Sequence, residues 1–356
     1  MCSTIVMQSL RINSVMAAFL SLLLLLTTRV PVMAADVADK TSLADRNMEV
    51  GIVAGSTGVG LDLSLPLASM ARLRAGFSYV PRVEVPMTFG IQVGDDPSTS
   101  EYKFNRMSSM LESLTGNKVV SHVDMIGEPT MWNVSVLADI YPLKKNRNWR
   151  VTAGLYIGPK TTAQTFNKTE SMPSLMGVDI YNNMYNKLHG VSRKDLPAVK
   201  LIDLGEGYEM VYTDPETLLF LQERFDAYGR MGIPLGTYSH DITDAEGNVL
   251  HQKGDPYVME PNNEHMVKAR MLTSIIKPYV GIGYDGRLTR RNERLGIGFD
   301  LGVMTWGGTP KLIIHDGTDL ISDVEGIGGK VGSYVRFMSH LKAYPVATVR
   351  LTYTIY

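Results

Sequence analysis

Cysteine is all but absent from this sequence. Its one copy, Cys2, stands at the extreme N-terminus, so the rest of the 356-residue chain has no thiol for a disulfide, a zinc–thiolate site or a cysteine nucleophile. Charge of one sign is not in excess either: 35 Lys and Arg oppose 36 Asp and Glu, a formal net charge of −1. That balance excludes a basic nucleic-acid footprint and a disordered acidic tail, so nucleic acid is not an expected partner. Beyond residue 35 no run has the ~18–20 apolar residues that a spanning helix needs. Metal-ligand spacing is also missing. His122, His189, His240, His251, His265, His315 and His340 form neither a His-x-Glu nor a paired-His motif. No metal, cofactor or catalytic residue is therefore expected.

What is present begins with a targeting segment at residues 1–35. Arg11 precedes an apolar run from Val15 to Leu26, and small residues follow at Ala34 and Ala35. This order describes a secretory signal peptide. An exported chain without spanning helices is periplasmic, secreted, or a β-barrel of an outer membrane.

The mature chain is dominated by alternation. In Leu295-Gly296-Ile297-Gly298-Phe299-Asp300-Leu301-Gly302-Val303 the odd positions are large and apolar, and the even ones are glycine or aspartate. A period of two marks a strand with one greasy and one narrow, polar face. A small closed barrel fits that contrast, with a crowded interior and an outer face against lipid. Similar stretches start at Val59, Ala71, Trp132, Val151, Tyr279 and Thr348, and Glu49 to Gly55 supplies an eighth strand. Short turns join the strands in pairs, while much longer connections separate the pairs. The expected fold is an all-β transmembrane barrel of about eight antiparallel strands with an α+β extracellular insertion.

The connections differ from one another. Phe104 to Leu114 has apolar residues at helical spacing, with Gly116 as a stop. Residues 165–270 are too long for a plain loop and read as an α+β extracellular cap interrupting the 36–356 barrel. Within it, Met172 to Leu188 reads as a helix, and Asp214-Pro215-Glu216 starts another that ends at Gly229. Asp241 to Leu250 reads as a hairpin, and Val331 to Leu341 as a last amphipathic helix.

Charges collect on the inner face: Asp62, Asp139, Asp285 and Asp300 against Arg72, Arg74, Arg150 and Arg350. Confined together they must pair, because an unpaired buried charge costs several kcal/mol. A salt-bridged plug is expected; a narrow path lined by a bipolar ring is the alternative. Trp132, Trp149 and Trp306, with Tyr79, Tyr141 and Tyr284, lie at strand ends, where aromatics suit a membrane interface. The histidines fall outside the alternating strands, so an enzyme in the barrel would lack its usual general base. Asp316, Asp319, Asp323 and Glu325 match no ordered calcium loop and read as solvated acids. In the cap, Met172, Leu175, Met176, Tyr181, Met184, Tyr185, Phe220, Phe225 and Tyr228 read as its own core or as an adaptable binding groove.

Three stretches carry a resemblance: Tyr141-Pro142-Leu143-Lys144-Lys145-Asn146 at a turn, Lys277 to Tyr284 in a strand, and Tyr344-Pro345 to Tyr356 at the end. Over about half of its length the chain resembles small outer-membrane β-barrel proteins of the OmpA/OmpW type. The resemblance implies a location in the cell outer membrane, contact with its lipid, and recognition by the barrel-assembly machinery through the C-terminal strand. It implies little about activity. The expected role is a non-enzymatic envelope barrel with a closed lumen, its cap serving structure or binding an extracellular ligand. Alternatives are a small transport barrel with the cap as lid, and a soluble exported β-sandwich.

Overall fold

A computed structural model gives the fold. It describes residues 47–355 except 69, 95, 144–146, 193, 196–201, 204–208, 211–213, 290, 291, 293 and 341. The expected signal segment and the terminal Tyr356 lie outside the described residues.

Eight antiparallel strands close into a barrel. In order around the wall they are Glu49–Gly55, Gly58–Ala68, Ala71–Tyr79, Trp132–Ile140, Trp149–Ile157, Ile276–Arg287, Leu295–Thr305 and Ala343–Thr354. The first and last strands pair over seven positions, from Glu49 with Thr354 to Gly55 with Thr348, which leaves the wall no free edge. A barrel therefore replaces the β-sandwich alternative. The expected turn at Pro66–Met70 is shorter than its sequence suggests, because pairing continues through Pro66–Arg72 to Ala68–Ala71.

Period-two residues build this wall because each strand has two unlike neighbours. Outward positions stay uncovered: Leu61, Leu155, Phe299 and Leu301 are 43–61% exposed. Phe77 is half-buried, and Leu63 is buried. Inward positions are small or charged. Gly283, for example, leaves the room that the Arg150 guanidinium fills; a Cβ there would lie 2.6 Å from Arg150 Cζ.

One end of the barrel has short turns. At the other stand the tight Ser56-Thr57 turn and three long connections, which fold into a second body. Its main sheet runs Lys311–Ile314, Lys268–Leu272, Thr161–Asn167, His122–Pro129 and Val85–Gly90. Each of these strands adjoins, in sequence, one of five consecutive barrel strands, and the order is the same. The sheet is thus the barrel wall carried past the rim after a short break. Hydrogen bonds bridge the break, from Thr130 N to Thr162 O (2.9 Å) and from Thr273 N to Lys160 O (2.8 Å). The folded body beyond the rim consequently draws on residues 80–131 and 306–342 as well as on 165–270.

Helices pack around this extension. Pro97–Thr115 starts earlier than its apolar spacing indicates, because Asp96 caps it by accepting from Ser98 N at 2.9 Å. Gly116, at φ 69°, ends it. Met172–Leu188 has the expected bounds. Pro215–Tyr228 has Asp214 as its cap and Gly229 after its end. Gly329–His340 precedes the final strand. Leu175, Tyr181, Met184, Phe225 and Tyr228 are buried together in the core of this body, whereas Phe220 is exposed under Arg224.

Candidate functional site

The lumen has three levels. At the short-turn end an open vestibule of about 350 Å³ is lined by Glu49, Arg72, Tyr141 and Asp285. Arg72 Nη1 meets Glu49 Oε1 at 2.6 Å.

The middle level is the charge network. Arg74 grips Asp300 with both terminal nitrogens (2.8 and 3.1 Å) and also reaches Asp139 Oδ1 at 3.1 Å. Arg150 donates to Asp300 Oδ1 and to Asp285 Oδ2, each at 2.9 Å. Arg350 donates to both oxygens of Asp62 (2.7 and 3.2 Å) and lies 3.7 Å from Asp285. Thr152 donates to Asp139 at 2.6 Å, and Tyr141 to Asp285 at 2.7 Å. All eight charged residues expected in the lumen are therefore found there, seven in one connected level and Arg72 in the vestibule below. The free space beside Arg74 is about 30 Å³, enough for two or three waters at ~10–15 Å³ each.

The third level is a roof. Met131, Leu137, Tyr156, Tyr279, Met304, Trp306 and Val346 pack into a buried apolar cluster where barrel and cap meet. This corrects the assignment of Trp306 to a membrane interface. Only 4% of it is exposed, with its ring centroid 5.2 Å from that of Tyr344. Trp149 is exposed and meets Tyr284 edge-on at 5.3 Å, and half-buried Trp132 pairs with Tyr79 at the cap end. Those two tryptophans stand at opposite rims of the outer face. Tyr141, also expected at an interface, turns inward to Asp285.

Strand parity carries the signal for each residue missed or misplaced. Trp306 shares the inward phase of Asp300, Gly302 and Met304; Tyr141 continues that of Asp139. Glu49 and Lys277 are inward by the same count.

Lys277 is the anomaly of the roof. It is fully buried, and its ammonium has no hydrogen-bond partner among the described residues. Asn133 beside it is likewise unpaired, and both border the space left by Gly158. A buried unpaired charge costs several kcal/mol. Lys277→Met is accordingly expected to raise the urea midpoint of the refolded barrel. A lowered midpoint would mean that the ammonium has a partner in solution.

Outside the barrel there are two large clefts. One, of about 1140 Å³, includes Tyr238, His251, Tyr257 and Asp316 in its lining. Tyr257 donates to Asp316 at 2.8 Å, and burial together with that carboxylate holds its phenol well above the usual range. The other, of about 970 Å³, lies between the Val85–Gly90 strand, the Met231–Tyr238 strand and two helices. The acidic run does structural work nearby. Asp319 accepts from Leu312 N and Ile321 N at 3.0 and 3.1 Å. Among the described residues no cluster could hold a metal ion.

No family model matches the sequence, and no curated protein matches it. Solved structures similar to this chain include Acinetobacter baumannii CarO2, at 13% identity and a TM-score of 0.33, covering 86% of this chain and 98% of that one. CarO of the same organism gives 13% and 0.33 over 88% and 100%. A major outer membrane protein from Thermus thermophilus gives 10% and 0.25 over 87% and 99%. At such scores the likeness carries no weight in assigning a function.

Proposed function

We propose that this chain is a non-enzymatic outer-membrane barrel with a closed lumen, whose cap is the working part and serves surface binding or envelope structure. The observation that carries this reading is the uncovered apolar belt. Val136, Leu155, Val280, Ile282, Phe299 and Leu301 stand open around the wall, while the charges lie inside. The Trp149–Ile157 strand has nine residues. At ~3.3 Å per residue and ~40° of tilt such a strand rises ~23 Å, close to the ~25 Å apolar band of outer-membrane barrels. Lipid is then the partner of the belt. The closing strand, Ala343–Thr354, is the segment offered to the assembly machinery, as in barrels of the OmpA/OmpW type. The cap faces outward, because the short turns of such barrels are periplasmic.

The absence of catalysis belongs to the same proposal. It is supported by lumen carboxylates that are each engaged by a guanidinium and by barrel strands without histidine. Fractionation tests the location: the chain is expected in the detergent-soluble membrane fraction, with heat-modifiable gel mobility. Recovery from the soluble fraction would contradict it. In planar bilayers the purified protein is expected to give no steady conductance, since the charge network and the aromatic roof both block the lumen. A steady open level would replace this reading with that of a transport barrel.

A further inference from the structure

The main sheet of the cap has two edges, and they are treated differently. On the Lys311–Ile314 edge the outward main-chain groups are satisfied by the chain's own next turn. Ile314 N donates to Thr318 O (2.9 Å), Leu312 N to Asp319 Oδ1 (3.0 Å), and Leu320 N to Leu312 O (2.9 Å). This is a blunted edge.

The Val85–Gly90 edge is open. Ile91 N donates across the ladder to Ser121 O at 2.9 Å, so odd-numbered residues aim their main chain at the neighbouring strand. In a regular antiparallel ladder Pro86, Thr88 and Gly90 then aim theirs the other way. Pro86 agrees with that phase, because proline has no N–H to give and is tolerated where the N–H would face outward. Among the described residues no backbone partner meets these groups, and they border the cleft of about 970 Å³.

Across the cleft lies a second interrupted edge. The Met231–Tyr238 strand pairs with Gln92–Val93 at Met231 and Gly232, then with Val324–Glu325 at Thr237 and Tyr238. Between those two pairings no strand among the described residues fills the edge. Arg230 O accepts from Gly94 N on this side at 2.7 Å, so Pro234 turns its carbonyl to the same side. The walls between the edges mix polar groups with apolar Phe89, Phe104, Leu235, Val331 and Tyr334, and they include one acid, Glu101.

We propose that this cleft binds an extended peptide segment of a partner protein by strand addition to the Val85–Gly90 edge. The proposal deepens the reading of the cap as a binding surface and rests on it. An exposed row of alternating donors and acceptors selects a main chain, and the apolar residues among the flanking walls select alternate side chains. Five residues, from Pro86 to Gly90, offer a track of ~13 Å. Glu101 favours a basic residue or a free amino terminus at one end. Pro86 limits the track by withholding a donor, which keeps the edge from templating unlimited growth.

The test uses the full chain in detergent micelles and a fluorescent hexapeptide, Lys-Val-Thr-Val-Thr-Val. Two further versions carry N-methyl groups on alternate backbone nitrogens, one in each phase. The parent is expected to bind, and methylation in one phase to weaken binding at least tenfold while the other phase changes it less than threefold. Thr88→Pro, which removes an outward N–H without touching the ladder, is expected to match the blocking phase. Thr88→Val, which removes the hydroxyl bonded to Asp124 and keeps the main-chain N–H, is expected to weaken binding by less than a third of what Thr88→Pro does. Absence of binding at millimolar peptide, or equal effects of the two methylation phases, would overturn the proposal. Flotation of the same preparation with lipid vesicles reports on the barrel, so loss of peptide binding is distinguished from failure of the membrane reading.

Discussion

Asp300→Ala will destabilise the folded barrel by about 3–5 kcal/mol, read as a lower urea midpoint of protein refolded into lipid vesicles. Asp300 is the carboxylate on which Arg74 and Arg150 converge, from strands on different parts of the wall. Both guanidinium groups are buried, and without Asp300 each is left with a single carboxylate within hydrogen-bond distance. Arg74 keeps Asp139 at 3.1 Å, and Arg150 keeps Asp285 at 2.9 Å. The cost is that of leaving charge under-compensated in the interior, and the native pair need not itself stabilise by that amount. Arg350 and Asp62 separate the two quantities, since they form a largely self-contained pair at 2.7 Å. Asp62→Leu alone is expected to cost several kcal/mol, whereas Asp62→Leu with Arg350→Met is expected to lie near the wild type. A double variant as damaged as the single one would show that the ion pair contributes net stability.

The second large effect concerns the outer face. Leu301→Arg, at mid-strand and 61% exposed, is expected to cost about 2–4 kcal/mol in vesicles if the belt meets hydrocarbon. Trp149→Arg, at the short-turn rim, is expected to cost about 0–1 kcal/mol. Dependence on depth is the diagnostic. In water an exposed leucine is replaced by arginine at little cost wherever it stands, so equal small effects at both sites would remove lipid from the description.

The barrel was legible because its strands have unlike faces. In Leu295–Thr305 the alternation of leucine or phenylalanine with glycine or aspartate specifies strand, register and inside at once. The same alternation locates the eight lumen charges, whose pairing follows from their confinement, whereas Glu49–Gly55 is called for by the even strand number of such barrels. Sequence did not reveal the five strands beyond the rim. Val85–Gly90 contains a proline and a glycine, and Lys311–Ile314 has only four residues; short strands in a compact body lack a sustained period. Nor did it show that these strands prolong the barrel wall, because the breaks at 80–84 and 273–275 look like the starts of ordinary loops. Trp306 and Tyr141 are interface aromatics by chemical type, but their parity points inward. Parity outranks type in a barrel, since the backbone decides which way a side chain faces before its chemistry can matter.

The site was legible to different depths at its different levels. The guanidinium–carboxylate network was readable from residue type and phase. The aromatic roof was not, because Met131 and Trp306, from two separate connections, meet Met304 of the Leu295–Thr305 strand only when those connections fold back over one opening. The open cleft depends on the same long-range assembly, with one edge from residues 85–90 and the other from 231–238.

The most direct measurement is spin-label accessibility at Leu61, Leu155 and Leu301. Changing Cys2 to serine leaves no native thiol, so each position can be labelled singly. In lipid vesicles all three labels are expected to collide readily with dissolved oxygen and scarcely with a water-soluble nickel chelate. Labels quenched by the chelate, or shielded from both reagents by protein, would contradict the claim that this barrel turns its apolar wall to lipid.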